Sequence, residues 1–166
     1  MAYNTDSIGG GAAEDDVYGV GWNGDSDAPS KNAVYDKIEL MLTGVGMPYH
    51  ETFALGDQDT DITTGQKLST TAPFAFTLTQ VIFALRVAGT GATPTLDVNK
   101  NGTTVLSTKA TIDISEVSSI TAAVPPVISV ASFAKGDVIT FDIDVIGSTI
   151  AGKGPEAILL GTRTAA

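Results

Sequence analysis

Between Val138 and Ile146 the chain alternates: Ile139, Phe141, Ile143 and Val145 are separated by Thr140, Asp142 and Asp144. Period two is the repeat of a β-strand with one face in a core and one in water, because successive side chains point to opposite faces. The repeat recurs over Thr79–Val87, with Val81, Phe83, Leu85 and Val87 on one face and Ile82, Ala84 and Arg86 on the other. Leu96 and Val98 alternate with Asp97 and Asn99, after which Asn101-Gly102 predicts a tight hairpin into 103–106. With further segments at 51–56, 66–71, 118–124 and 156–163, the pattern predicts roughly eight short strands. No helical crossover separates them, which argues against a parallel sheet. The expected fold is mainly β: an antiparallel, jelly-roll-like β-sandwich over residues 51–166. At 43% hydrophobic and 17% charged residues, the chain has enough apolar material to fill such a core.

The first fifty residues read differently. Residues 1–29 form an extended arm, hinged at Gly9–Gly11, solvated by Glu14, Asp15 and Asp16, and carrying the sparse apolar residues Tyr3, Ile8, Val17, Tyr18, Val20 and Trp22. They are too few for a core and are expected to lie against another surface. Residues 30–43 predict a short amphipathic helix: Pro29 precedes it, Ser30 is its N-cap with Asp27 as the alternative, and Gly44 ends it. Val34, Ile38 and Met41 fall on one stripe, flanked by Tyr35 and Leu42, with Asp36, Lys37 and Glu39 elsewhere. A helix of about three turns does not hold alone in water, so the stripe must be covered. Periodicity leaves two covers open, the helix's own domain or copies of itself in a bundle. The segment GVGMPYH (44–50) reads as a linker.

Reactive chemistry is sparse. The chain has no cysteine, which excludes disulfides, thiolate metal sites and cysteine nucleophiles. His50 is the only histidine, with no second histidine to share a metal. A Gly-x-Ser-x-Gly elbow is absent, and Gly9–Gly11 neither follow a strand nor open a helix at phosphate-binding spacing. Asp57, Asp59 and Asp61 have the D-x-D-x-D rhythm of a calcium loop, but Ile62 and Leu68 stand where an EF-hand needs glycine and glutamate. Asn23, Asp25 and Asp27 share the rhythm and fail at Ala28. Both clusters read more simply as turn chemistry. Asp142 and Asp144 have the spacing of paired carboxylates on one strand face, but a solvated face is the better reading. The expectation is a non-enzyme without cofactor or metal. A net charge of −10 repels phosphate backbones, which argues against nucleic acid as a partner. No apolar run reaches the ~20 residues of a membrane helix, and the N-terminus lacks the features of a signal peptide.

The stretch GWNGDSDAPSKNAVYDKIE (21–39) resembles a segment that recurs in bacteriophage tail-fibre and minor virion proteins. Trp22, Asn23, Gly24, and the run Ala28-Pro29-Ser30-Lys31-Asn32-Ala33-Val34-Tyr35-Asp36-Lys37-Ile38 carry the likeness. The β-rich remainder resembles the C-terminal sandwich modules of such proteins more loosely. In that family the short helix leads into or out of a trimeric region. The resemblance therefore implies that Val34, Tyr35, Ile38, Met41 and Leu42 close a homotrimer.

By the same resemblance the chain is a virion-surface structural protein, assembled in the host cytoplasm: a short tail fibre, or a head fibre or capsid decoration. Residues 1–22, through Tyr3, Ile8, Val17, Tyr18 and Trp22, would anchor it to capsid or tail proteins. A host-surface glycan is a further candidate partner. The alternative is a soluble carbohydrate- or receptor-binding sandwich with no virion role. Against it, residues 51–166 contain no tryptophan or tyrosine to stack on a sugar, and most of their phenylalanines fit core positions.

Overall fold

A computed structural model describes residues 46–164, together with Ile38 and Met41. The chain divides into two compact units, Met1–Gly44 and Val45–Ala166. Within the second, the strands are β1 (Pro48–Ala54), β2 (Gly65–Thr71), β3 (Phe76–Val87), β4 (Thr95–Lys100), β5 (Thr103–Thr104), β6 (Leu106–Thr108), β7 (Ala110–Thr111), β8 (Val127–Ile128), β9 (Ser132–Phe133), β10 (Val138–Val145) and β11 (Lys153–Arg163). One sheet has the order β1-β11-β3-β9, the other β2-β10-β4-β5 with β7 also on β4, and β6 and β8 form a small ribbon. Every pairing between them is antiparallel.

The pairs β1–β11, β2–β10, β3–β9 and β4–β5 are nested, as in one long hairpin folded at the β4–β5 turn. Rolling that hairpin up makes two facing sheets, which is the jelly-roll form of the β-sandwich. The fold point is Asn101-Gly102, whose φ angles of 50° and 82° are the left-handed pair that a two-residue hairpin requires. Both sheets supply the core. Phe53 of β1 and Phe141 of β10 meet across it with ring centroids 4.7 Å apart. Phe76, Phe83, Phe133 and Phe141 are fully buried, as are Leu78, Leu96, Ile112, Ile139, Ile143 and Leu159. Each such side chain contributes about 1.5–3 kcal/mol relative to leaving it in water.

Two bulges interrupt the alternation, and the first overturns part of the reading made from the sequence. On β10, Ile143 pairs with Leu96 and Val145 with Thr95, so Asp144 is an extra residue. The phase flips there: Val145, expected inside, is exposed, and Ile146 packs on the core instead. On β3, Leu78 pairs with Gly161 and Gln80 with Leu160, leaving Thr79 as the extra residue. Phe76 and Leu78 therefore point inward on one side of the bulge, and Val81, Phe83 and Leu85 on the other. The backbones close up opposite it: a Cβ on Gly161 would lie 2.3 Å from the Thr77 carbonyl oxygen.

Two further expectations change. The segment 118–124 is not a strand; Ser119–Thr121 is a 3₁₀ turn capped by the Ser118 hydroxyl, which accepts the Ile120 N–H. Part of the supposed linker is strand, because β1 begins at Pro48. Tyr49 is a core residue that packs edge-on against Phe74 and at a tilt against Phe76, with centroids 5.7 and 4.3 Å away. Its hydroxyl donates to Glu51 at 2.7 Å. Burial first, and the Glu51 carboxylate second, push its pKa well above the usual phenol value.

Candidate interaction surface

Of the residues expected to close a trimer, Ile38 and Met41 are described. Both have helical backbone, and both are open to solvent in the single chain, 49% and 63% exposed. Val34, Tyr35 and Leu42 lie outside the described residues, as do the expected anchors Tyr3, Ile8, Val17, Tyr18 and Trp22 and the Asn23, Asp25, Asp27 cluster.

The acidic positions of the sandwich are tied up locally. Asp57 Oδ1 accepts the N–H groups of Asp59 and Thr60 at 2.8 and 3.3 Å, which is an Asx turn. Asp59 pairs with Arg86, and Asp61 with Lys153 at 3.6 Å. His50 lies exposed on β1, in register with Leu160. Asp142 and Asp144 have separate partners: Asp142 accepts Asn99 Nδ2 at 2.7 Å, and Asp144 accepts Lys109 Nζ at 2.6 Å. Buried Asp97 stands directly opposite Asp142 across β4 and β10. Like charges so placed repel, and Lys109 offsets this by reaching Asp97 as well, at 2.9 Å. The hydrogen bond to Asp144, and next that to Asp97, raise the Lys109 pKa above its ordinary value. This cluster holds one sheet surface together.

The sandwich has a second surface that strand alternation did not disclose. The long segment between β7 and β9 lies along the outer edge of β3. Leu78 N–H bonds to Ala131 O at 2.8 Å, Phe83 N–H to the Ser119 hydroxyl at 2.8 Å, and Leu85 N–H to Val117 O at 2.9 Å. Between these anchor points is a cavity of about 350 Å³, lined by Thr79–Ile82 of β3 and by Ser119, Ile120 and Pro125–Ile128 of the segment. Around it Ile120, Val124 and Val127 are 67%, 60% and 51% exposed. A smaller hollow of about 180 Å³ lies by the acidic loop, lined by Asp57, Asp61, Lys67 and Pro155 among others. The signal for the larger surface was present in the sequence: Val117–Ala134 contains no charged residue, in a chain of net charge −10.

No protein-family model matches the chain, and no curated protein or solved structure matches it either.

Proposed function

We propose that the chain is a bacteriophage virion-surface structural protein, a short trimeric fibre held to the particle by its N-terminal arm. The observation that carries the reading is the resemblance of residues 21–39 to virion fibre segments, joined to an apolar helical stripe whose Ile38 and Met41 are open in the single chain. Three copies of that stripe cover one another in a parallel bundle, which removes the cost of exposing it. The jelly roll follows as the outward knob. Jelly rolls recur in viral capsid and lectin domains, and this is support by analogy of fold only.

The arm is the attachment strip. Its apolar residues are spaced along a glycine-hinged chain, so a single arm ordering on a partner loses much of its contact energy to entropy. Three arms on one trimer restore affinity through effective concentration. The test uses particles lacking the protein, mixed with purified full-length chain or chain without residues 1–22, and imaged with a label on the sandwich. Full-length protein is expected to decorate the particles and the shortened protein to fail. Equal decoration by both overturns the arm's role, and no decoration by either overturns the virion reading.

A further inference from the structure

We propose that Asn101 is a fold-guarded deamidation site, a residue that converts itself to aspartate or isoaspartate when the β4–β5 turn lifts off β10. The proposal stands apart from the virion reading. The sequence holds two Asn-Gly dipeptides, Asn23-Gly24 and Asn101-Gly102. In such a pair the glycine backbone nitrogen attacks the asparagine Cγ, since glycine has no side chain to obstruct it. A bond forms from that nitrogen to Cγ, the Cγ–Nδ2 bond breaks, and Nδ2 leaves as ammonia with the proton of the glycine nitrogen. Water then opens the five-membered succinimide. Opening at the side-chain carbonyl gives aspartate, and opening at the main-chain carbonyl gives isoaspartate. The net change is amide plus water to carboxylic acid plus ammonia, with no oxidant or reductant.

Three observations put this chemistry under the control of the fold. Access is one: Asn101 and Gly102 are exposed, and a Cβ on Gly102 would touch nothing within 4 Å, so water reaches the turn. Restraint is another. Asn101 Nδ2 donates to Asp137 Oδ1 at 2.8 Å, Asn101 Oδ1 accepts the Val138 N–H at 2.8 Å, and the Asn101 N–H bonds to Val138 O at 2.8 Å. Attack makes Cγ tetrahedral and expels Nδ2, and both moves displace atoms that Asp137 and Val138 hold. The turn must therefore open first, as a local event at the tip of the sandwich. The nature of the product is the third. Aspartate in place of Asn101 loses the Nδ2 donor and sets a second carboxylate against that of Asp137, where like charges repel. Isoaspartate adds a backbone atom to a two-residue turn built on φ angles of 50° and 82°. Neither product re-forms the clamp, so each conversion leaves the turn released from β10, and the change accumulates with the age of the molecule.

The test incubates full-length protein, folded or unfolded in guanidinium chloride, and follows ammonia release and peptide masses. Peptide mapping separates Asn101 from Asn23, which gives the same mass change. In folded wild type Asn101 is expected to react at least about tenfold more slowly than in the unfolded chain, and Asp137→Ala to recover about tenfold of that rate, as loss of one hydrogen bond to a charged group implies. Asp57→Ala, which removes the Asx turn of the acidic loop, should leave the Asn101 rate unchanged. Circular dichroism checks that both variants are folded. Hydrogen exchange supplies a measure that needs no variant. In wild type, folding should slow the Asn101 reaction by about the same factor as exchange at the Val138 N–H, the amide bonded to Asn101 Oδ1. Asn101 reacting equally fast in the folded and unfolded chain, or while the Val138 N–H stays fully protected, overturns the guard. A folded Asp137→Ala that reacts no faster than wild type overturns the clamp, and no conversion of Asn101 in either state overturns the site.

Discussion

Asp137 joins three parts of the sandwich through one carboxylate. Oδ2 accepts the Ala134 N–H at 2.8 Å and closes the turn before β10; Oδ1 accepts Asn101 Nδ2 at 2.8 Å; Lys100 Nζ lies 3.3 Å from Oδ2. Asn101 in turn accepts the Val138 N–H, so the hairpin tip is fastened to the start of β10. The Ala134 N–H, then Asn101, then Lys100 hold the Asp137 pKa below its ordinary 3.8. A carboxylate depressed on folding adds stability that is present above the unfolded value and is lost as pH falls through the folded one. Asp137→Asn should therefore cost about 1 kcal/mol at neutral pH, as hydrogen bonds to the charged group are weakened. Urea titrations across the acid range should show the gap to wild type narrowing as pH drops below 3.8. A gap that is constant with pH would mean the charge is irrelevant. At this scale the sequence was partly legible. Asn101-Gly102 announced the hairpin because few residue pairs accept two left-handed conformations. Tyr49 was hidden because its neighbours Gly46 and Pro48 suggest a linker, and only its partners Phe74 and Phe76, far along the chain, reveal it as core.

Among the elements, the helix stripe carries the sharpest expectation. Ile38→Asp would place copies of a carboxylate together in a dry seam, where unpaired charge is strongly unfavourable. Sedimentation of the full-length variant should show the wild-type oligomer lost or greatly weakened. An unchanged oligomer would locate the principal contact on the sandwich. Strand prediction worked where one face meets the core continuously, as in β10 up to Ile143 and β3 from Val81 to Leu85; it failed where a bulge resets the phase at Asp144, and the bulge at Thr79 hid the extension of β3 back to Phe76. Bulges have no composition of their own; they are set by the partner strand, and Gly161 opposite Thr79 is legible only once the pairing is known. The 118–124 segment misled for another reason. Its Ile, Thr and Val content favours strands, but Ser118 and Ser119 spend their hydroxyls on the Ile120 and Phe83 N–H groups, and Pro125-Pro126 cannot donate to a ladder.

For the whole molecule, the core cluster among the described residues runs from Tyr49 to Leu159. A fragment beginning at Gly46 should therefore unfold cooperatively on heating, with a β-type circular dichroism spectrum. A molten or insoluble fragment would show that the preceding residues complete the fold. The two-sheet architecture was legible from alternation and turns, whereas strand order was not, because nested pairing joins residues as distant as Pro48 and Thr162. That nesting governs how the protein comes off the ribosome. β1 and β3 are not neighbours; only β11, the last of these strands to be made, lies between them and joins them. At elongation rates of ~5–20 residues per second, Pro48 waits on the order of ten seconds for Thr162 to be synthesised. During that interval the first sheet has no middle, Tyr49 and Phe53 have no pairing strand, and the nascent chain cannot commit to its final shape. Commitment of the first sheet is thus timed to the emergence of β11, long after β1 has been made.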